Sequence, residues 1–145
     1  MTDERISERN QPIVAEFRAN KGRVGGPFEG HPMLLLHNRG RRSGADNVNP
    51  LAYLPDPDDP ATVYVFASAG GRPKHPQWYF NVIAAGAAEA EIGTDRFPVT
   101  VEEITGADRD RFYALQAEEM PAFVEYEHKL EGVRTIPVVA LRRSS

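Results

Sequence analysis

The chain has 145 residues, 41% of them apolar and 26% charged, with 17 basic against 21 acidic side chains and a formal charge of −4. That length suits one domain with its own core, and that balance gives no global attraction to nucleic acid or anionic lipid, so any anion site must be a local cluster. There is no cysteine, which excludes disulfides, thiolate nucleophiles, iron–sulfur clusters and Cys-ligated zinc.

The first predicted element is a helix over residues 3–20, where Ile6, Ile13, Val14 and Phe17 fall near one face. Pro12 lies inside it, so the helix kinks or begins there. The N-terminus is polar, unlike a signal peptide, and no apolar run approaches the ~20 residues that span a bilayer. Asp3, Glu4, Glu8 and Glu16 suit an interfacial helix poorly. The expectation is a cytoplasmic protein without stable membrane insertion, with peripheral membrane contact left open. Gly22, Gly25, Gly26 and Pro27 break the helix. Residues 1–26 therefore read as an N-terminal helix and linker, and residues 27–145 as the body of a single domain.

Six strand-like runs follow, at 33–38, 47–54, 62–68, 88–92, 97–104 and 136–141. Gly, Asp, Pro and Ser clusters separate most of them. Helices are predicted at 76–85, with Pro76 in the first helical position, and at 107–119 and 121–130. Six short strands joined largely by tight turns predict a mainly β (α+β) fold whose antiparallel sheet curls into a small closed or split barrel. No strand–helix–strand alternation runs through the chain, and no glycine-rich fingerprint joins a strand to a helix, so a nicotinamide-binding fold is not expected.

Five segments carry candidate chemistry. Residues 39–44, GRRSG preceded by Arg39, place three guanidiniums, a hydroxyl and flexible backbone in one turn, the makings of an anion site or of a solvated basic hairpin. Pro50, between Asn49 and Leu51, marks an edge or bulge where backbone is free to face a ligand. Ala67-Ser68-Ala69-Gly70-Gly71 offers a small-residue surface that a flat ring can approach. Trp78 and Asn81, three apart in HPQWYFN, share a helix face and suit either a heteroaromatic ligand or a core anchor. Phe123 and Tyr126, also three apart, line a pocket or fill the core. The four histidines are scattered and show no metal spacing.

The order GRRSG, VNPL, ASAGG, HPQWYFN, RTIPVVAL resembles the deazaflavin-dependent nitroreductase and quinone reductase family over about residues 20–142. The resemblance implies a six-stranded antiparallel split β-barrel of the FMN-binding type with flanking helices, and coenzyme F-420 as cofactor. It assigns Arg41, Arg42, Ser43 and Gly44 to the phosphate and acidic tail. It runs Asn47, Val48, Asn49, Pro50 and Leu51 along the deazaflavin, sets Ala67, Ser68, Ala69, Gly70 and Gly71 at its other edge, and has Trp78 and Asn81 close the groove. Ala52, Phe123 and Tyr126 become the substrate pocket, and Tyr126 or Ser68 the catalytic proton source. The chain departs from the family in carrying Asn47 and Ala69 where basic residues are common, and Ala52 where the nitroreductase has tyrosine. The implied reaction is hydride transfer to a small electron-poor acceptor: a quinone, enone or nitro compound. No nucleic-acid partner is expected, and a homodimer is compatible with the reading. The alternatives are an FMN enzyme on the same barrel, or a non-catalytic deazaflavin- or lipid-binding protein.

Overall fold

The computed structural model describes residues 4–144. Seven strands and four α-helices follow in chain order: β1 Glu4–Arg5, α1 Gln11–Ala19, β2 Met33–Arg39, β3 Asp46–Pro55, β4 Thr62–Phe66, α2 Gln77–Ala85, β5 Ala87–Ile92, β6 Asp95–Ile104, α3 Gly106–Glu119, α4 Ala122–Leu130 and β7 Val138–Arg143. The strands β3, β2, β5, β6, β7 and β4 pair antiparallel in that order, and β4 pairs back onto β3. The result is the closed six-stranded antiparallel barrel that the turn-linked runs predict, with β1 added in parallel on β3.

The N-terminal segment differs from the predicted helix over 3–20. Pro12 sits in the first turn of α1, so the helix begins there, where a missing N–H costs nothing. Glu4 and Arg5 pair instead with Asp46 and Asn47; Asp3 lies outside the described residues. Pro76 caps α2 rather than opening it, with extended backbone. The last strand starts two residues later than predicted and runs on to Arg143.

Strand alternation explains the apolar runs. Leu34, Leu36, Val65, Val139 and Leu141 fill the barrel, with Trp78 and Val82 of α2 joining them. Their neighbours face outward, yet they are buried too. Met33 and Leu35 lie under Val14 and Phe17 of α1, and Tyr64, Phe66, Val138 and Ala140 under α3 and α4. A strand covered on both faces reads as a continuous apolar run, whereas β5 and β6, with fewer covers, alternate. Among the described residues, no helix is long and apolar enough to cross a membrane.

Candidate active site

The barrel is incomplete along β3. On the side away from β2, β1 pairs with residues 46–47 and β4 with 53–55, leaving 48–52 without a partner strand. Pro50 sits in the middle of this gap and has no N–H to strand there. Two adjoining cavities of about 580 and 610 Å³ open over it and share Ser7, Asn49, Pro76 and Trp78 in their walls. Each is within the ordinary size of a ligand pocket.

The first cavity is polar, with Asn38, Asn47, Val48, Asn49 and Asn81 in its wall. Its amides form a chain. Asn81 Nδ2 donates to Asn38 Oδ1 at 2.9 Å, and Asn38 Nδ2 donates to Asn49 Oδ1 at 2.9 Å. Arg41 donates from its backbone and from Nη1 to Asn81 Oδ1, at 3.2 and 2.9 Å, and from Nη2 to Gln77 Oε1 at 3.0 Å. The basic turn is thereby anchored to α2. Arg42, Ser43 and Gly44 stand exposed at the turn, beyond the walls of both cavities. Trp78 is buried in the core and also forms part of both cavity walls.

The second cavity is more apolar. Pro50, Leu51 and Ala52 of β3 form one wall, and Phe66, Phe123 and Tyr126 another. Ser68, Ala69 and Gly70 also face it. Arg9 and Arg72 bring positive charge to its walls. Ala67 lies in the barrel core and Gly71 is buried behind Tyr126. Gly71 has φ +80°, and a Cβ there would stand 3.1 Å from Tyr126 Cδ1. Gly71→Ala is expected to lower stability by about 1–2 kcal/mol through left-handed strain alone and to push Tyr126 into the cavity. Thermal unfolding checks this, and an unchanged midpoint would contradict it.

Behind this wall, His75 Nδ1 lies 2.9 Å from Arg134 Nη1. A guanidinium only donates, so Nδ1 accepts and the imidazole is neutral with its proton on Nε2. Burial, with Arg134 beside it, holds its pKa below the ordinary value; Glu103 opposes this weakly. The unfolded chain therefore binds this proton more readily than the folded one. The contribution is present above the unfolded value of ~6.5 and is lost as pH falls through the lower folded value. Melting temperatures measured across the acid range are expected to drop more for wild type than for His75→Gln, which cannot take up that proton; parallel curves would refute the assignment.

A third cluster lay beyond sequence reasoning. Buried His37 meets Glu91 at 2.5 Å and Asp46 at 3.4 Å. Arg18 bridges Glu91 and Glu4 at 2.7 and 2.9 Å. Burial pulls the Glu91 carboxyl up, but Arg18 and His37 hold it below its ordinary value. These groups clasp β1 and α1 to the barrel beside the polar cavity, and the Arg18 guanidinium supplies the cation between the two carboxylates. The partners come from five elements, β1, α1, β2, β3 and β5, so no local spacing signals them. Asn38 and Arg134 were missed for the same reason.

A closed barrel with a side gap, a polar amide-lined groove and an adjoining aromatic cavity is the architecture of a small oxidoreductase of the split-barrel class. More particularly, the chain belongs to the F420H(2)-dependent quinone reductase family, whose model matches residues 9–143. It is 33% identical over 133 residues to an F420H(2)-dependent quinone reductase of Mycobacterium tuberculosis, covering 89% of this chain and 86% of that one. A solved F420-H2 dependent reductase superposes with a TM-score of 0.66 at 33% identity, covering 77% of this chain and 94% of that one. A second solved relative, described as a domain-swapped dimer, gives 0.67 at 29% identity over 94% of this chain and all of that one. The protein is thus an F420H2-dependent reductase, as its motifs implied.

Proposed function

We propose that the protein reduces quinones in the aromatic cavity, with the deazaflavin lying over the barrel gap. The observation that carries this is the continuity of the two cavities across Asn49, Trp78 and Pro76, which sets a polar groove and a more apolar pocket edge to edge. When bound, coenzyme F-420 supplies the hydride. The chain supplies position and partial exclusion of water. Asn47, Val48, Asn49, Pro50 and Leu51 line one side of the cofactor and Ser68, Ala69 and Gly70 the other. Arg41, Arg42, Ser43 and Gly44 hold its phosphate. Arg5 on the polar groove and Arg9 and Arg72 on the adjoining cavity provide positive charge for the acidic tail in place of the cations absent at Asn47 and Ala69. Ala52 and Phe123 shape the acceptor pocket, and Tyr126 delivers the proton to the acceptor oxygen, with Ser68 as the other hydroxyl at hand. The protein acts in the cytoplasm and shares the dimeric habit of its solved relative.

Anaerobic oxidation of F420H2 by menadione tests the reading. Turnover with wild type is expected, with Tyr126→Phe lowering kcat by about 100-fold, the low end for general acid catalysis, and leaving cofactor affinity unchanged. Absence of turnover despite cofactor binding would favour a carrier over an enzyme.

A further inference from the structure

The wall formed by residues 67–72 has an unusual backbone. Ser68 is right-handed, at φ −75° and ψ −33°. Ala69, Gly70 and Gly71 are all left-handed, at φ 48°, 63° and 80°. Ala69 is one of two non-glycine residues with positive φ among those described, a conformation that costs about 1–2 kcal/mol for a residue with a Cβ. Something must hold it.

Arg134 lies against this segment and is absent from the cavity wall. Its guanidinium donates from Nη1 to Ala67 O at 3.0 Å, from Nη2 to Ser68 O at 2.8 Å and from Nε to Arg72 O at 3.0 Å. The fourth contact is His75 Nδ1. One side chain thus takes three carbonyls and an imidazole from a single loop.

The consequence follows from peptide geometry. All peptide bonds among the described residues are trans, so each C=O points opposite to the N–H of the next residue. Carbonyls of Ala67 and Ser68 drawn back to Arg134 turn the N–H groups of Ser68 and Ala69 away from it, toward the cavity that these residues line. The N–H groups of Ser68, Ala69 and Gly70 donate to no partner among the described residues, while Gly71 N–H and Arg72 N–H close the turn onto Ser68 O and Ala69 O. A right-handed residue followed by a left-handed one, with successive free N–H groups, is a backbone nest for a negatively charged oxygen.

We propose that Arg134 is a positioning residue that sets the amides of Ser68, Ala69 and Gly70 to receive an anionic oxygen of the ligand in the groove. The backbone arrangement stands on the structure alone; that its ligand is the deazaflavin or its acceptor rests on the function proposed above. Lysine carries the charge but has one nitrogen and no fork, so it cannot satisfy all four acceptors.

The test compares wild type, Arg134→Gln and Arg134→Lys. Amide hydrogen exchange on the cofactor-free protein reads the loop directly. Exchange at Gly71 and Arg72 is expected to rise about tenfold or more in Arg134→Gln, the equivalent of losing one charge-assisted hydrogen bond, while Leu36 and Val139 in the barrel stay protected. Titration with coenzyme F-420 and steady-state reduction of menadione then locate the oxygen. A cofactor oxygen in the nest raises the F-420 Kd by about tenfold or more. An acceptor oxygen leaves that Kd in place and lowers kcat/KM for menadione by the same factor. Either result supports the proposal, with Arg134→Lys falling between glutamine and wild type. Unchanged exchange at 71 and 72, a rise spread evenly over barrel and loop, or wild-type binding and turnover in Arg134→Gln would overturn it. Failure of wild type to bind F-420 would remove the functional reading while leaving the exchange result to decide on Arg134.

Discussion

Replacing Asn81 by leucine is expected to weaken deazaflavin binding by about 10- to 100-fold and to lower stability by about 2–3 kcal/mol. Asn81 is 5% exposed and Asn38 2%, so water cannot replace what leucine removes. The substitution frees the Arg41 guanidinium from Oδ1 and leaves Asn38 Oδ1 without its donor. Asn38 in turn orients Asn49 on the groove wall. The effect should travel from the basic turn to the cofactor surface along this chain of amides. Asn81→Asp separates the two ends. It keeps an acceptor for Arg41 and loses the donor to Asn38, so binding should survive better than stability. Urea unfolding and F-420 titration on both variants check this. Leucine leaving both quantities intact would mean that the amide chain neither anchors the turn nor shapes the groove.

The second large effect concerns the acceptor. Ala52 faces the aromatic cavity across from Phe66, Phe123 and Tyr126 and is a small residue where the resemblance implied a tyrosine in the nitroreductase. Ala52→Trp fills that space. A bulky quinone should lose about 100-fold in kcat/KM, the cost of displacing a reacting atom by roughly 1 Å, and a small benzoquinone distinctly less. Cofactor affinity should fall far less, because the amide-lined part of its groove lies on the other side of Asn49 and Trp78. A uniform loss for large and small quinones would place the acceptor elsewhere.

How much was legible in the sequence depended on the range of the signal. The six barrel strands and the helices after the first were readable because alternation and turn chemistry are local. Pro50 pointed to an open strand side, and the gap beside it is where β3 lacks a partner. Phe123 with Tyr126, and Trp78 with Asn81, were readable as pairs because three residues along a helix share a face. The short strand at Glu4–Arg5 was not, since two residues carry no periodicity and their pairing with Asp46–Asn47 is made across the fold. Nor were Asn38, His37 or Arg134. Asn38 looked like the end of an apolar run, and Arg134 like a lone charge opening the RTIPVVAL segment. Their roles come from partners about 10 to 70 positions away.

The most direct test is a pair of fluorescence titrations, with coenzyme F-420 and with flavin mononucleotide, on wild type and on the double variant Arg41→Ala/Arg42→Ala. Wild type is expected to bind F-420 in preference to the flavin, and the double variant to bind it at least about tenfold more weakly, as loss of a charge-assisted phosphate contact requires. Preference for flavin mononucleotide, or F-420 binding indifferent to both arginines, would contradict a deazaflavin held by its phosphate at this turn.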